Sequence, residues 1–195
     1  MSVRAARSRR VGNSGGSMSW LARVPLIMVL VFGAFATASL IGFDPADPPT
    51  TLSWPANETV QNWCGPAGAW IAYHAFRLLG FGVWVLAIGL GLGALSAAMG
   101  SSVRHPIVRG VGLLMGACAV AGFQHLLFPQ SGAFPDMAGG RVGTFVVTEL
   151  SARFGPVGTG LWLIGLLGVG ALAAMDDWLL WALGWMWRTG VPAAV

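Results

Sequence analysis

"GPAGAWIAYHAFRLLGFGVW", residues 65 to 84, is the stretch on which the fold turns. It follows a loop rich in Pro and Asp and runs on through apolar sequence to Met99, with Tyr73, His74 and Arg77 inside it. If a membrane span began at Ala67, Arg77 would lie ten residues in, about 15 Å deep at the rise of an α-helix. That is near the bilayer midplane, where an arginine costs at least about 2.5–3.5 kcal/mol. A span from Phe81 to Met99 instead holds nineteen residues and no charge. Residues 67–79 then form a short helix along the interface, opened by Gly65 and Pro66, since Pro suits a first helical turn. Gly80 and Gly82 let the chain bend into the span. On this short helix, Tyr73, His74 and Arg77 are expected to face headgroups or water, and Trp70, Ile71, Ala75 and Leu78 the acyl chains.

The composition agrees with a lipid environment. Of 195 residues, 55% are hydrophobic and 9% charged, where soluble domains carry about 25% charge. So few charges cannot cover the surface of a water-soluble protein of this size. Ten Trp and twenty-nine Gly suit lipid interfaces and close helix packing. All eleven basic residues are Arg. Without Lys there is neither a phosphate-binding P-loop nor Schiff-base chemistry. Cys64 and Cys118 fall in a loop and in mid-span, and fit no disulfide, redox or zinc pattern.

The predicted fold class is all-α integral membrane, with four transmembrane helices and two short amphipathic helices at the outer interface. Residues 1–19 read as a disordered basic cytoplasmic tail and residues 20–190 as a four-helix membrane domain. Within it, the spans are 24–41, 81–99, 110–128 and 156–175, and the interfacial helices 67–79 and 141–154. A cleaved signal peptide is the competing reading of 24–41. Its eighteen residues exceed the usual apolar core of a signal, about 7–15 residues, and no good cleavage site follows. Residues 141–154 place Val142, Val146, Leu150 and Phe154 on one narrow stripe, too short and too charged to span, and are interfacial or partly re-entrant. Beyond Asp176 and Asp177, Trp178, Trp181 and Trp185 share a helical face suited to an interface. With the N-terminus inside, eight arginines lie on the cytoplasmic side and Arg77, Arg141 and Arg153 outside, so both termini are cytoplasmic.

Candidate chemistry is sparse. His74, His105 and His125 share no ligand spacing, and with Cys64 they make a metal or haem site only on paper. They read as interfacial or loop residues whose removal should be silent. Every carboxylate lies at or beyond a span end, which counts against an ion-coupled transporter. "GGRVG" has no preceding strand and no Lys, so it reads as a backbone bend rather than a phosphate loop. No cofactor, metal or catalytic residue is implied. Gly89–Gly93 and Gly112–Gly116 are small-xxx-small pairs that allow close helix approach.

Two blocks carry a resemblance. The first is the loop opening "DPADP" (Asp44, Pro45, Asp47, Pro48) followed by Gly65, Pro66, Gly68, Ala69, Trp70 and Gly80. The second is "GGRVGTFVVTELSARFGPVG", with Gly139, Gly140, Gly143, Phe154, Gly155 and Gly158. In this order, with a basic tail and four spans, the chain resembles the N-terminal membrane domain of the FtsK/SpoIIIE DNA translocases. The resemblance implies an anchor and scaffold in the bacterial cytoplasmic membrane that places a hexameric ATPase at the division septum for chromosome segregation. Its implied partners are the lipid bilayer and other division-site proteins, with homo-oligomerisation when joined to the motor. No Walker motif or DNA-reading module is present, so direct nucleotide or nucleic-acid binding by this chain is not expected. Residues 191–195 read as the start of a linker, or a C-terminal end. The alternative is a small membrane enzyme or transporter using the outer helices as a substrate platform.

Overall fold

The computed structural model describes residues 20–50, 52–99, 105–134 and 137–174. The basic tail, the turn at 101–104, Asp136, the Asp176–Asp177 pair, the tryptophan face at 178–185 and the end of the chain lie outside the described residues. Five helices follow one another: α1 Trp20–Ile41, α2 Gly65–Leu79, α3 Gly82–Ala98, α4 Pro106–Leu127 and α5 Gly140–Ala174. There is no strand among the described residues. The fold is all-helical.

The distribution of side chains is that of a protein solvated by lipid. Val31, Phe32, Ile88, Leu92, Leu161 and Ile164 all point outward. The buried core is built largely of small residues, among them Ala69, Ala72, Ala117, Ala119 and Ala121. In water this inversion would cost the hydrophobic driving force; in lipid, packing of small residues is what holds helices together. By length and composition, α1, α4 and α5 can each cross a membrane, and the α2–α3 pair passes the same test jointly, giving up to four spans.

α2 and α3 meet at 115°. The chain turns at Gly80, whose N–H still closes the last turn of α2 on the Phe76 carbonyl (2.8 Å). α3 is seventeen residues, about 26 Å long at 1.5 Å per residue. α5 has thirty-five residues, about 52 Å, longer than one crossing of an approximately 30 Å hydrocarbon core needs. It is divided at Gly155, where φ 66° and ψ 175° leave the helical region. That combination is open essentially to glycine alone. Pro156 follows and withholds a backbone donor, and one turn on Thr159 Oγ donates to the Gly155 carbonyl at 2.8 Å.

α4 occupies the middle. Its Gly112 and Gly116 meet Gly170 of α5 so closely that a Cβ on Gly112 would lie 2.6 Å from the Gly170 carbonyl oxygen. On another side, a Cβ on Gly82 of α3 would collide with the Ala117 carbonyl. The other glycine pair behaves differently from expectation: Gly89 abuts the Leu113 side chain, while Gly93 has nothing within 4 Å and borders an open apolar groove of about 1040 Å³. Spacing alone could not distinguish a glycine in a helix contact from one facing a gap.

The faces of α2 also differ from the two-sided expectation. Gly68, Ala69, Ala72, Phe76 and Leu79 form a buried face against the bundle. His74 lies on the exposed side with Trp70 and Leu78, and its ring packs at a tilt against Trp70, 4.3 Å between centroids. An amphipathic reading divides a helix between water and lipid; here the bundle takes a third face. Tyr73 and Arg77 sit at its edge, with Arg77 Nη1 donating to the Tyr73 hydroxyl at 2.6 Å.

Candidate functional site

The residues of the two sequence blocks fall into three built features, not one cluster. The first is the loop between α1 and α2. Asp47, only 1% exposed, accepts hydrogen bonds from Asn57 Nδ2 (2.8 Å), the Gln61 N–H (2.9 Å to Oδ1) and the Asn62 N–H (2.8 Å to Oδ2). A buried carboxylate is tolerated when donors surround it in this way. Asn62 then ties the loop to the end of α1: its Nδ2 donates to the Ser39 and Gly42 carbonyls at 2.9 and 3.0 Å. Those carbonyls would otherwise be unsatisfied at a helix C-terminus.

Asp44 plays a smaller part, accepting the Ala46 N–H at 2.8 Å as turn-forming aspartates do. Pro45 contributes its carbonyl to Thr50 Oγ at 3.0 Å, and Pro48 stands exposed beside Pro49. Gly65 and Pro66 open α2 after a turn closed by the Gly65 N–H on the Asn62 carbonyl (2.8 Å). Gly68 has no room for a side chain, since a Cβ there would lie 2.5 Å from the Cys64 Cβ and 2.9 Å from Ser39 Oγ. Ala69 is buried beside it and Trp70 points outward.

The second feature is a junction at the same end of the bundle. Gly80, Gly139, Gly140 and Gly143 bring the α2–α3 turn, the start of α5 and the C-terminal half of α4 into backbone contact. A Cβ on Gly80 would lie 2.6 Å from the Gly139 Cα, and one on Gly140 2.6 Å from the Leu78 carbonyl carbon. Gly139 and Gly143 both press on the Ala121 carbonyl. Gln124, 5% exposed, ties α4 to the α2–α3 turn and to the loop after α4: its Oε1 accepts the Phe81 N–H at 2.7 Å and its Nε2 donates to the Ser131 carbonyl at 3.1 Å. His125 pairs its Nδ1 with the Ala138 carbonyl at 2.8 Å. The third feature is the break in α5, where Gly155 carries the bend. Phe154 packs on Trp162 (5.6 Å), and Gly158 lies where a Cβ would come within 2.7 Å of the Phe154 Cβ.

Two residues of this architecture were not singled out from sequence. Asn62 gave no signal, being one polar residue in a polar loop. Gln124 did give one: it is an uncharged polar side chain inside an apolar segment, where such groups seek partners. His125 corrects an expectation, since it bonds the backbone of the 137–139 turn instead of standing idle at an interface. The three histidines and Cys64 have separate neighbours: Trp70 and Tyr73 for His74, the first turn of α4 for His105, Ala138 and Thr144 for His125, and the Phe35 carbonyl for Cys64. Among the described residues no three His, Cys, Asp or Glu side chains are grouped to hold a metal ion.

What these features share is that each fixes the course of the backbone. A family model for the 4TM region of DNA translocase FtsK/SpoIIIE matches residues 20–186. The chain belongs to this family. Two curated proteins called DNA translocase FtsK 1, from Neisseria meningitidis serogroup A / serotype 4A and serogroup B, are each 36% identical to it over 82 residues. The match covers 42% of this chain and 9% of either relative. No solved structure matches the chain. The FtsK/SpoIIIE 4TM family is a multi-pass membrane region, in keeping with the outward-facing apolar helices described above.

Proposed function

We propose that this domain is the membrane anchor and scaffold of a cell-division DNA translocase, holding a cytoplasmic motor at the septum of the bacterial inner membrane. The family match across residues 20–186 carries the reading. The architecture supports it: the built features are glycine contacts and buried side chains that hydrogen-bond the backbone, as a domain that positions something requires. In this reading the loop end of the bundle lies outside the cell and both termini lie in the cytoplasm, following the arginine distribution. α2 runs along the outer interface, where the Arg77–Tyr73 pair keeps its polar groups out of the hydrocarbon. The first half of α5 lies at the same level. Other division-site proteins meet the outer loops, and subunits associate when joined to the motor, while ATP and DNA are handled by the motor.

The test is a fluorescent fusion of residues 1–195 in dividing cells. Enrichment at the division site without an attached motor is expected. Uniform membrane fluorescence would refute the anchor reading.

A further inference from the structure

The loop between α1 and α2 holds an exposed tryptophan on a fixed frame. The segment from Ala46 to Asn57 forms an arch, closed at its base by the Asn57 N–H on the Ala46 carbonyl (3.0 Å). Below it, the Asp47 carboxylate fastens Asn57, Gln61 and Asn62. Inside it, Thr50 bonds the Pro45 carbonyl and receives the Leu52 N–H at 3.1 Å. At the crown stand Leu52, 42% exposed, and Trp54, 92% exposed. We infer that this crown is the docking site of a protein partner, with Trp54 as the anchor inserted into an apolar pocket rimmed by basic residues. The inference rests on the scaffold reading above and names the surface that reading leaves open.

Three observations favour a protein over the bilayer as the occupant. Trp54 belongs to the arch and not to a helix end, unlike Trp63, which lies against Gly42 at the end of α1 where an aromatic belt would lie. Residues 43–64 contain Asp44, Asp47 and Glu58 and no Arg, Lys or His, the wrong sign for an anionic lipid surface and the right one for a basic rim. The frame is also pre-organised: hydrogen bonds hold Ala46, Asp47, Thr50, Leu52 and Asn57 before any partner arrives, which lowers the ordering cost of docking. A side chain that merely dips into lipid needs no such frame.

The test places a photo-crosslinking amino acid at Ser53, beside the anchor, in the full chain in intact cells. A discrete protein adduct is expected, with the cross-linked peptide of the partner carrying Lys or Arg next to apolar residues. Trp54→Ala should lower its yield about tenfold or more, as loss of a central tryptophan does at interfaces. Glu58→Arg should lower it about threefold through the reversed charge, and Trp63→Ala should leave it unchanged. Membrane yield of each variant reports folding, and Trp54→Phe, which keeps an aromatic anchor, should restore much of the adduct. Adducts only with lipid, adducts only with a second copy of this chain, or a yield indifferent to Trp54→Ala would each overturn the proposal. Septal localisation is scored separately, so an adduct without septal enrichment sinks the scaffold reading and leaves the docking surface standing.

Discussion

At the scale of single residues, Asp44 and Asp47 look alike in sequence and carry different weight. Asp47→Ala would leave the N–H groups of Gln61 and Asn62 and the Asn57 amide without this acceptor, and at the buried Asn62 an unmet donor costs about 1–3 kcal/mol. The expected outcome is a loosened loop, read as faster hydrogen exchange at Gln61 and Asn62 in detergent-solubilised protein. Asp44→Ala removes one bond, to the half-buried Ala46, and should leave those two amides protected. Equal effects of the two substitutions would contradict the geometry. The histidines divide in the same manner. His125→Ala abandons the Ala138 carbonyl and should lower stability by about 0.5–1.5 kcal/mol, seen as a drop in melting temperature, while His74→Ala, on an exposed face, should change it little.

At the scale of elements, the glycines separate by what surrounds them. Gly139 has φ 81° and touches the Ala121 carbonyl, so Gly139→Ala is both strained and overpacked. Overpacking alone costs about 1–3 kcal/mol, and such a variant should unfold at lower temperature or fail to accumulate. Gly93→Ala meets open space within a regular helix and should be neutral or gain up to about 1 kcal/mol from helix propensity. Thermal unfolding of the two variants side by side is the measurement. Gly155 is a third kind: nothing lies within 4 Å of its would-be Cβ, yet its backbone angles exclude other residues. Gly155→Ala should therefore straighten or shift α5, changing the distance between spin labels at Phe145 and Leu172. Pro156→Ala should leave that distance nearly unchanged, because the bend resides at Gly155.

For the whole molecule, orientation is the decisive question, and the proposed one, drawn from the arginine asymmetry, puts both termini in the cytoplasm. In a chain whose Cys64 and Cys118 are replaced by Ala, a cysteine at Ser53 should react with a membrane-impermeant thiol reagent in intact cells. A cysteine at Ser14 or Ser102 should react only after lysis. Labelling at Ser102 in intact cells would contradict the arrangement of spans. In that proposed orientation, with four spans, the loop arch, the glycine junction and the break in α5 would lie together on the outer side, as the proposed scaffold role requires.

The sequence by itself determined the solvent and the class: an all-helical membrane bundle of the FtsK/SpoIIIE 4TM family. These were legible because the signals are local or summed. An apolar run of span length needs no neighbour to be recognised, and the cost of an arginine at mid-bilayer depends on depth alone. The turning points were marked too, since glycines such as Gly80 and Gly155 announce backbone freedom. What only the tertiary structure decided was which residue answers which. Gln124 reaches Phe81 across forty-three positions and Asn62 reaches Ser39 across twenty-three, and no pattern within a helix or loop encodes such pairs. Gly112 and Gly93 belong to the same kind of motif, yet one is pressed against Gly170 and the other faces a gap. Likewise, the pattern of α2 shows two faces because periodicity measures polarity, and polarity does not reveal a face covered by protein. In lipid, where apolar surface is found both inside and outside the bundle, the hydrophobic pattern shows that a helix is embedded, and only close packing shows which side of it is buried.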